Sequence, residues 1–309
     1  MRKPFYNCCF LTLFILLTAQ VSAQFSTDNS ELNSIEGRWE ISATIGANNF
    51  MGDLGGNKGK GKPFAKDYMF KTMQPLAGIS AERFMSNWLG LKIGFNYTAV
   101  DGADSLINNT GDLERWRWYR NLSFFSTVFE GYIAADIFPV MLFDKVSEIH
   151  KVSPFIGIGV GFFHFKPQAP LNGKWIDLQP LNLEGQGFSE YPDRKPYKLT
   201  QLYIPINLGV KYYINEKYSF SIGVNFRHTS TDYIDDISTT YIDPTLFDKY
   251  LTPDNATLAK QLYSRSLTPW KVKPDLIKAK SSDNDTYVTM FFTLSIRFKR
   301  YYDFYYGGQ

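Results

Sequence analysis

From residue 39 onward the chain alternates between apolar and polar positions. In Trp39-Glu40-Ile41-Ser42-Ala43-Thr44-Ile45-Gly46-Ala47 every odd residue is apolar and every even one is polar, acidic or glycine, which predicts a strand with two unlike faces. Residues 89–99 repeat the pattern, with Leu91, Ile93, Phe95 and Tyr97 opposite Lys92, Gly94, Asn96 and Thr98. Further strands are predicted over 156–162, 202–212, 220–227 and 289–298, and two less regular ones over 74–84 and 122–138 complete a set of eight.

The connections alternate too. Residues 86–87, 139–151 and 215–217 form the shorter links, and 48–72, 101–121, 166–198 and 229–285 the longer ones. Short and long links therefore fall at opposite ends. This is the plan of an all-β, eight-stranded antiparallel transmembrane β-barrel with periplasmic turns, long extracellular loops and both termini on the periplasmic side. Each strand reaches the roughly 9 to 11 residues that a tilted membrane strand needs. A soluble barrel shows the same alternation with its apolar face turned inward, so the period does not choose between them. Two other features do. Aromatic residues gather at the strand ends: Trp39, Phe84, Trp88, Phe138, Phe155, Tyr212, Tyr213, Tyr218 and Phe298 towards the periplasm, and Phe50, Phe70, Tyr97, Trp116, Trp118, Phe162 and Tyr287 towards the outside. Two interfacial girdles are expected from them. The chain also opens with Arg2 and Lys3, an apolar stretch over 10–17, and Val21-Ser22-Ala23 before Gln24, the layout of a secretory signal peptide.

Residues 1–23 are read accordingly as a signal peptide, and 24–309 as an outer-membrane barrel domain with a short periplasmic N-terminal segment and a C-terminal tail. The location expected is the cell outer membrane, with outer-membrane lipid around the barrel. Cys8 and Cys9 leave with the signal peptide; they precede the apolar stretch instead of ending it, which argues against a lipid anchor. No disulfide, thiolate metal site or thiol nucleophile is then expected. The formal net charge of +3 falls to near +1 without Arg2 and Lys3, so a nucleic-acid partner is not expected. Hydrophobic content of 44% with a mean hydropathy of -0.24 leaves no set of the ~20-residue apolar segments on which helical membrane proteins depend.

The polar face carries charge. Strand parity directs Glu40, Glu82, Glu130 and Asp136 into the lumen together with Lys92, Lys211, Arg227 and Arg297, four acids against four bases. Eight strands enclose a lumen that side chains just fill, so a plugged barrel with a buried charge network is expected, a channel being the alternative. An unpaired charge in that position is costly. Gly157, Gly159 and Gly161 free space along one strand, for Phe163, Phe165 or the long basic side chains.

The densest polar motif spans 227–241. Asp232, Asp235, Asp236 and Asp243 suit calcium, a hard cation that takes several oxygen ligands. Asx turns and hydrogen bonds to Ser, Thr and Tyr hydroxyls account for the same residues, the spacing matches no EF-hand, and neither a metal nor a cofactor is assigned. His150, His164 and His228 are the available acid–base groups, with His228 near Asp232, Asp235 and Asp236 in sequence. A rim hydrolase would place it beside a nucleophile or carboxylate. No Gly-x-Ser-x-Gly, His-Glu-x-x-His or phosphate-cradling loop is present, so no catalytic residue and no enzyme activity is expected. Residues 55–62, rich in Gly and Lys, read as a solvated loop. Ala256, Leu258, Ala259 and Leu262 stand at helical spacing, predicting a short helix over the barrel mouth.

Asp232-Tyr233-Ile234-Asp235-Asp236-Ile237-Ser238, after the seventh predicted strand, resembles a signature of the family of small outer-membrane β-barrels that includes PorG, a component of the type IX secretion machinery. Phe50-Met51-Gly52-Asp53-Leu54-Gly55-Gly56, Arg120-Asn121-Leu122-Ser123-Phe124, Trp175-Ile176-Asp177-Leu178-Gln179-Pro180-Leu181 and Glu184-Gly185-Gln186-Gly187 agree in order, over most of residues 24–309. Asn225 departs from the family pattern, standing where an acidic residue is expected. The resemblance makes Asp232, Tyr233, Asp235, Asp236 and Ser238 the family-motif loop. It implies a non-catalytic component of the type IX protein secretion machinery that anchors or contacts a periplasmic ring of the PorK/PorN kind. A structural or ligand-binding barrel acting through its surface loops is the alternative. The contact surfaces expected are residues 24–37, 139–151 and 299–309; the tyrosines of the last segment suit either a binding anchor or an interfacial belt.

Overall fold

A computed structural model describes residues 34–54, 70–107, 111–143, 150–279 and 284–298. The expected signal peptide, the run 55–62 and the tail 299–309 lie outside these, as does most of the N-terminal segment. Strands run over β1 Trp39–Met51, β2 Gln74–Phe84, β3 Leu89–Ala103, β4 Ser123–Ile137, β5 Val152–Leu171, β6 Lys174–Asp177, β7 Thr200–Tyr213, β8 Tyr218–Thr229 and β9 Thr286–Phe298. All except β6 form a closed eight-stranded antiparallel barrel, in which β4 pairs with β5 and β1 with β9.

The apolar side of each strand faces outward. Along β1, Trp39, Ile41 and Ile45 are exposed, whereas Glu40 and Ser42 are buried. Ile45 and Ile79 each expose 64% of their surface, Phe162 61% and Ile133 58%. Such a band around the whole barrel is untenable in water; with a polar interior it is the lipid-facing surface of an outer-membrane β-barrel.

Inside, three tiers fill the lumen. At the periplasmic end Ile35, Phe84, Phe138, Met141, Phe155 and Tyr213 pack into an apolar plug. A charged middle follows. Above it a larger core joins the upper barrel, including Val128, Phe163, Phe165 and Tyr287, to the loops through Leu54, Leu178, Ile234 and Phe247. The girdle expectation is corrected here: Phe84, Phe138, Phe155 and Tyr213 share the inward parity of Glu82, Asp136, Gly157 and Lys211 and are buried, as are Phe50 and Tyr287 at the other end. Trp39, Trp88, Tyr218, Phe298, Tyr97 and Phe162 do face outward. The glycines of β5 also serve other neighbours than expected. A Cβ on Gly157 would lie 2.3 Å from Asp136 Oδ1, and one on Gly161 2.5 Å from the Tyr203 ring, so these positions make room for a lumen carboxylate and a lumen tyrosine.

The long loops are built, not draped. The third begins as a continuation of β5, which turns back into β6 through Asn172 and Gly173, both at positive φ; Asn-Gly is the preferred pair for a two-residue hairpin. The second carries helix α1, Asp112–Arg120, closed by Asn121 in the left-handed region (φ 56°). A short helix α2, Pro139–Phe143, follows β4 on the periplasmic side. The fourth loop holds α3, Leu246–Tyr250, and α4, Pro253–Leu262. Thr252 caps α4 by accepting from the Asn255 amide, with Pro253 in the first turn, where its missing N–H costs nothing. Ala256, Ala259 and Leu262 then face the cap core.

Candidate functional site

The lumen charges come from strand register. Arg297, Glu40, Glu82 and Lys92 are successive cross-strand partners on β9, β1, β2 and β3, a row that sets two acids between two bases. Lys211, on β7, reaches the same acids: it pairs with Glu40 and lies 3.3 Å from Glu82. Lys92 pairs with Asp136 and stands 3.8 Å from Glu82, and Arg297 is 3.2 Å from Glu40. Three acids and three bases thus neutralise one another where the low dielectric would penalise any excess. Lys211 Nζ also lies 4.9 Å from the Phe84 ring centroid, so the plug meets the charges through a cation–π contact.

Glu130 and Arg227 form a separate pair nearer the outside, 2.7 Å apart. Glu130 accepts from Tyr287 Oη (2.6 Å) and Asn96 Nδ2 (2.7 Å), and Arg227 donates to Thr289 Oγ1 (2.6 Å). The free space among these polar groups is about 50 Å³, enough for a few waters. Asn225 is buried in this wall.

The family-motif loop is not an exposed patch. Asp235 accepts from the Leu54 amide (3.1 Å) and the Ile237 amide (3.2 Å), tying the fourth loop to the first. Asp236, held at φ 64°, accepts from Tyr197 Oη (2.5 Å), while Tyr233 stacks on Tyr197 with centroids 4.7 Å apart. The Ser238 and Thr239 amides donate to Glu184 of the third loop (3.1 and 2.9 Å), whose carboxylate also accepts from Thr239 Oγ1 (2.7 Å) and faces Lys278 Nζ at 3.5 Å. Asp232 is buried beside Asp235 and Asp285. Burial, with these neighbouring carboxylates, holds Asp235 and Asp285 well above the ordinary carboxylate range. Burial pushes Asp236 up to about 7, opposed by Lys278 and the Tyr197 hydroxyl.

Residues outside the expected set complete the knot. Arg120, 3% exposed, makes two hydrogen bonds to Asp104 (2.8 and 2.9 Å) and donates to the carbonyls of Lys278 (2.5 Å) and Asp53 (2.7 Å). One guanidinium thereby joins the first, second and fourth loops. Arg194 donates to the Glu184 carbonyl and to Thr240 Oγ1, both at 2.8 Å. Arg120 and Glu184 stand in the motif segments quoted above; Asp104, Arg194 and Lys278 carry no local signal, since loop charges ordinarily face solvent.

Of the carboxylates considered for calcium, Asp235 and Asp236 accept from the chain's own donors and Asp243, half-buried, accepts from Thr245; among the described residues no group of three or more His, Cys, Asp or Glu side chains could hold a metal ion. His228, exposed on β8, is within 3.5 Å of Thr286, and His164 within 3.0 Å of Thr200, whereas Asp235 and Asp236 are buried in the cap and accept from Leu54, Ile237 and Tyr197.

No protein-family model matches the chain, and no curated protein matches it. Among solved structures it is similar to the outer membrane protein OprG of Pseudomonas aeruginosa, with 11% identity, 88% of this chain and 100% of that one covered, and a TM-score of 0.38. It is also similar to Neisserial surface protein A, with 11% identity, coverage of 85% and 98%, and a TM-score of 0.37. The attachment invasion locus protein Ail of Yersinia pestis has 9% identity, coverage of 85% and 99%, and a TM-score of 0.36.

Proposed function

We propose that the protein is a non-catalytic component of the type IX protein secretion machinery, a filled barrel that anchors or contacts a periplasmic ring of the PorK/PorN kind. One observation carries this reading: the five segments that resemble the family, spread from residue 50 to residue 238, meet in one buried cap through Leu54, Arg120, Leu178, Glu184 and Asp235. The cap needs all five together, so their joint occurrence in order follows from a single architecture. A lumen occupied by paired charges and closed by an aromatic plug suits an anchor better than a conduit. At the periplasmic end, Leu142 and Phe143 are 43% and 82% exposed, and an exposed aromatic of this kind suits a protein contact.

The test is an in-frame deletion in the native host, with export of type IX cargo and recovery of the ring with outer membranes as readouts. Cargo is expected to stay in the periplasm and the ring to be lost, with rescue by the wild-type chain and weaker rescue by Phe143→Asp. Normal export with a normal ring removes the reading. The second reading, a structural or ligand-binding barrel acting through its loops, is favoured by the rigid construction of the cap; it predicts unimpaired export and loss of a surface interaction instead.

A further inference from the structure

Between the second and fourth loops lies a cleft beside the cap knot, with Arg120 on its inner wall. Trp116 and Tyr119, three residues apart on α1 and so on one helical face, form one side and are 37% and 38% exposed. The Arg120 guanidinium covers the Trp116 ring at 5.5 Å and the Tyr119 carbonyl accepts from the Leu267 amide (2.9 Å), so this wall is fixed to both loops. Tyr241 and Leu276 close the floor, joined by a backbone hydrogen bond of 3.0 Å from the Tyr241 amide. Ser266, Thr268 and Lys271 line the remaining side. The cavity measures about 120 Å³.

The chemistry of this lining is selective. Flat, half-exposed rings offer an apolar face to C–H groups, and hydroxyls beside them suit a ligand that is itself polyhydroxylated. Among the described residues no carboxylate lines the cleft, and Lys271 forms no ion pair with any of them. A cation is therefore disfavoured although the walls are aromatic, and an anionic substituent is favoured.

We propose that this cleft binds one ring of a saccharide bearing an acidic group, the ring face stacked on Trp116 and Tyr119, its hydroxyls bonded by Ser266 and Thr268, and its acid paired with Lys271. The source is either the membrane's own lipopolysaccharide or a free glycan. The proposal is independent of the secretion role, because it concerns the purified barrel and the extracellular face.

Glucuronate and glucose are titrated separately into the full folded chain in lipopolysaccharide-free micelles, with saturation-transfer NMR reporting which sugar protons meet aromatic rings. Glucuronate is expected to saturate, with transfer strongest to the protons of one ring face. Lys271→Ala, an exposed change that leaves the cap intact, is expected to weaken glucuronate by about threefold to tenfold and glucose hardly at all. Trp116→Ala removes the ring-face transfer for both sugars, with heat-modifiable gel migration confirming that each variant is folded. Repetition in nanodiscs containing lipopolysaccharide identifies the source: loss of glucuronate binding means the membrane glycan occupies the cleft, and retention means a free glycan does. Absence of saturable binding, glucose binding as tightly as glucuronate, or undiminished binding by Lys271→Ala overturns the proposal.

Discussion

Replacing Glu184 by alanine should open the cap while leaving the barrel folded. The side chain is fully buried, and its loss leaves three donors without their acceptor: the Ser238 amide, the Thr239 amide and the Thr239 hydroxyl. Each orphaned donor costs about 1–3 kcal/mol. Lys278, 1% exposed, also loses the carboxylate 3.5 Å away, and breaking a buried ion pair from one side costs about 3–5 kcal/mol. These contributions overlap, since the same cluster relaxes once, so a total near 5 kcal/mol is the working figure. That corresponds to a rise of nearly four orders of magnitude in the open population of the cap. Hydrogen exchange with mass spectrometry, on the protein in micelles, resolves the effect: amides over 183–199 and 230–242 should lose protection by that factor, whereas those of β1, β2 and β9 should not. Unchanged loop protection, or equal loss in the strands, refutes the assignment of Glu184 as an independent fastening of the cap. Lys278→Met added to Glu184→Gln should recover part of the loss, because the buried ammonium that has lost its carboxylate 3.5 Å away is removed with it.

Stability of the cap should also depend on pH in the direction opposite to an ordinary ion-paired acid. Asp236 is raised from 3.8 to about 7, so the folded cap holds the proton more tightly than the open one, and the stability it contributes is greatest below about pH 4 and declines up to about pH 7, by at most about 4 kcal/mol. Asp235 and Asp285, shifted the same way, carry the decline further; exchange rates corrected for intrinsic pH dependence should rise between pH 5 and 8, and a flat profile refutes this. Asp236→Asn keeps an acceptor for Tyr197, tolerates the left-handed backbone and should protect the cap at pH 8. In the lumen, Glu130→Gln leaves the 2%-exposed Arg227 without its counter-charge and should cost about 3–5 kcal/mol in urea unfolding from micelles, while Glu130→Gln with Arg227→Met should cost less than the sum of the single changes; strict additivity refutes the pairing.

Period two made the barrel legible because one residue's slip in register would turn every lipid-facing side chain into the lumen. It located each of the eight barrel strands, and β2 and β4 to within a residue at both ends, but not the upper ends of β3 and β5, which continue to Ala103 and Leu171, beyond the membrane, where no lipid enforces alternation. The β5–β6 hairpin has a readable signal in Asn172-Gly173, the preferred two-residue turn, inside what the alternation alone leaves as a loop. The girdle error has a different source. Height along the barrel alone puts Phe84 and Tyr213 in a girdle, but Glu82 and Lys211, two residues earlier on the same strands, fix their side chains on the inner face.

The cap resisted reading for a reason that also bears on function. Its connections join Arg120 to Lys278 and Asp235 to Leu54, separations of 158 and 181 residues, and no local periodicity encodes such contacts. A dense acidic motif invites interpretation as a ligand site, because surface carboxylates are usually free to bind. Once Asp235, Asp236 and Glu184 accept from the chain's own amides and hydroxyls, their capacity is largely spent on holding four loops together. Both proposals accordingly assign recognition to exposed side chains that the frame presents: Phe143 at the periplasmic end, and Trp116, Tyr119 and Lys271 outside. Substitutions in the frame should therefore impair any activity of the cap together with its exchange protection, whereas substitutions at the presented residues should separate the two.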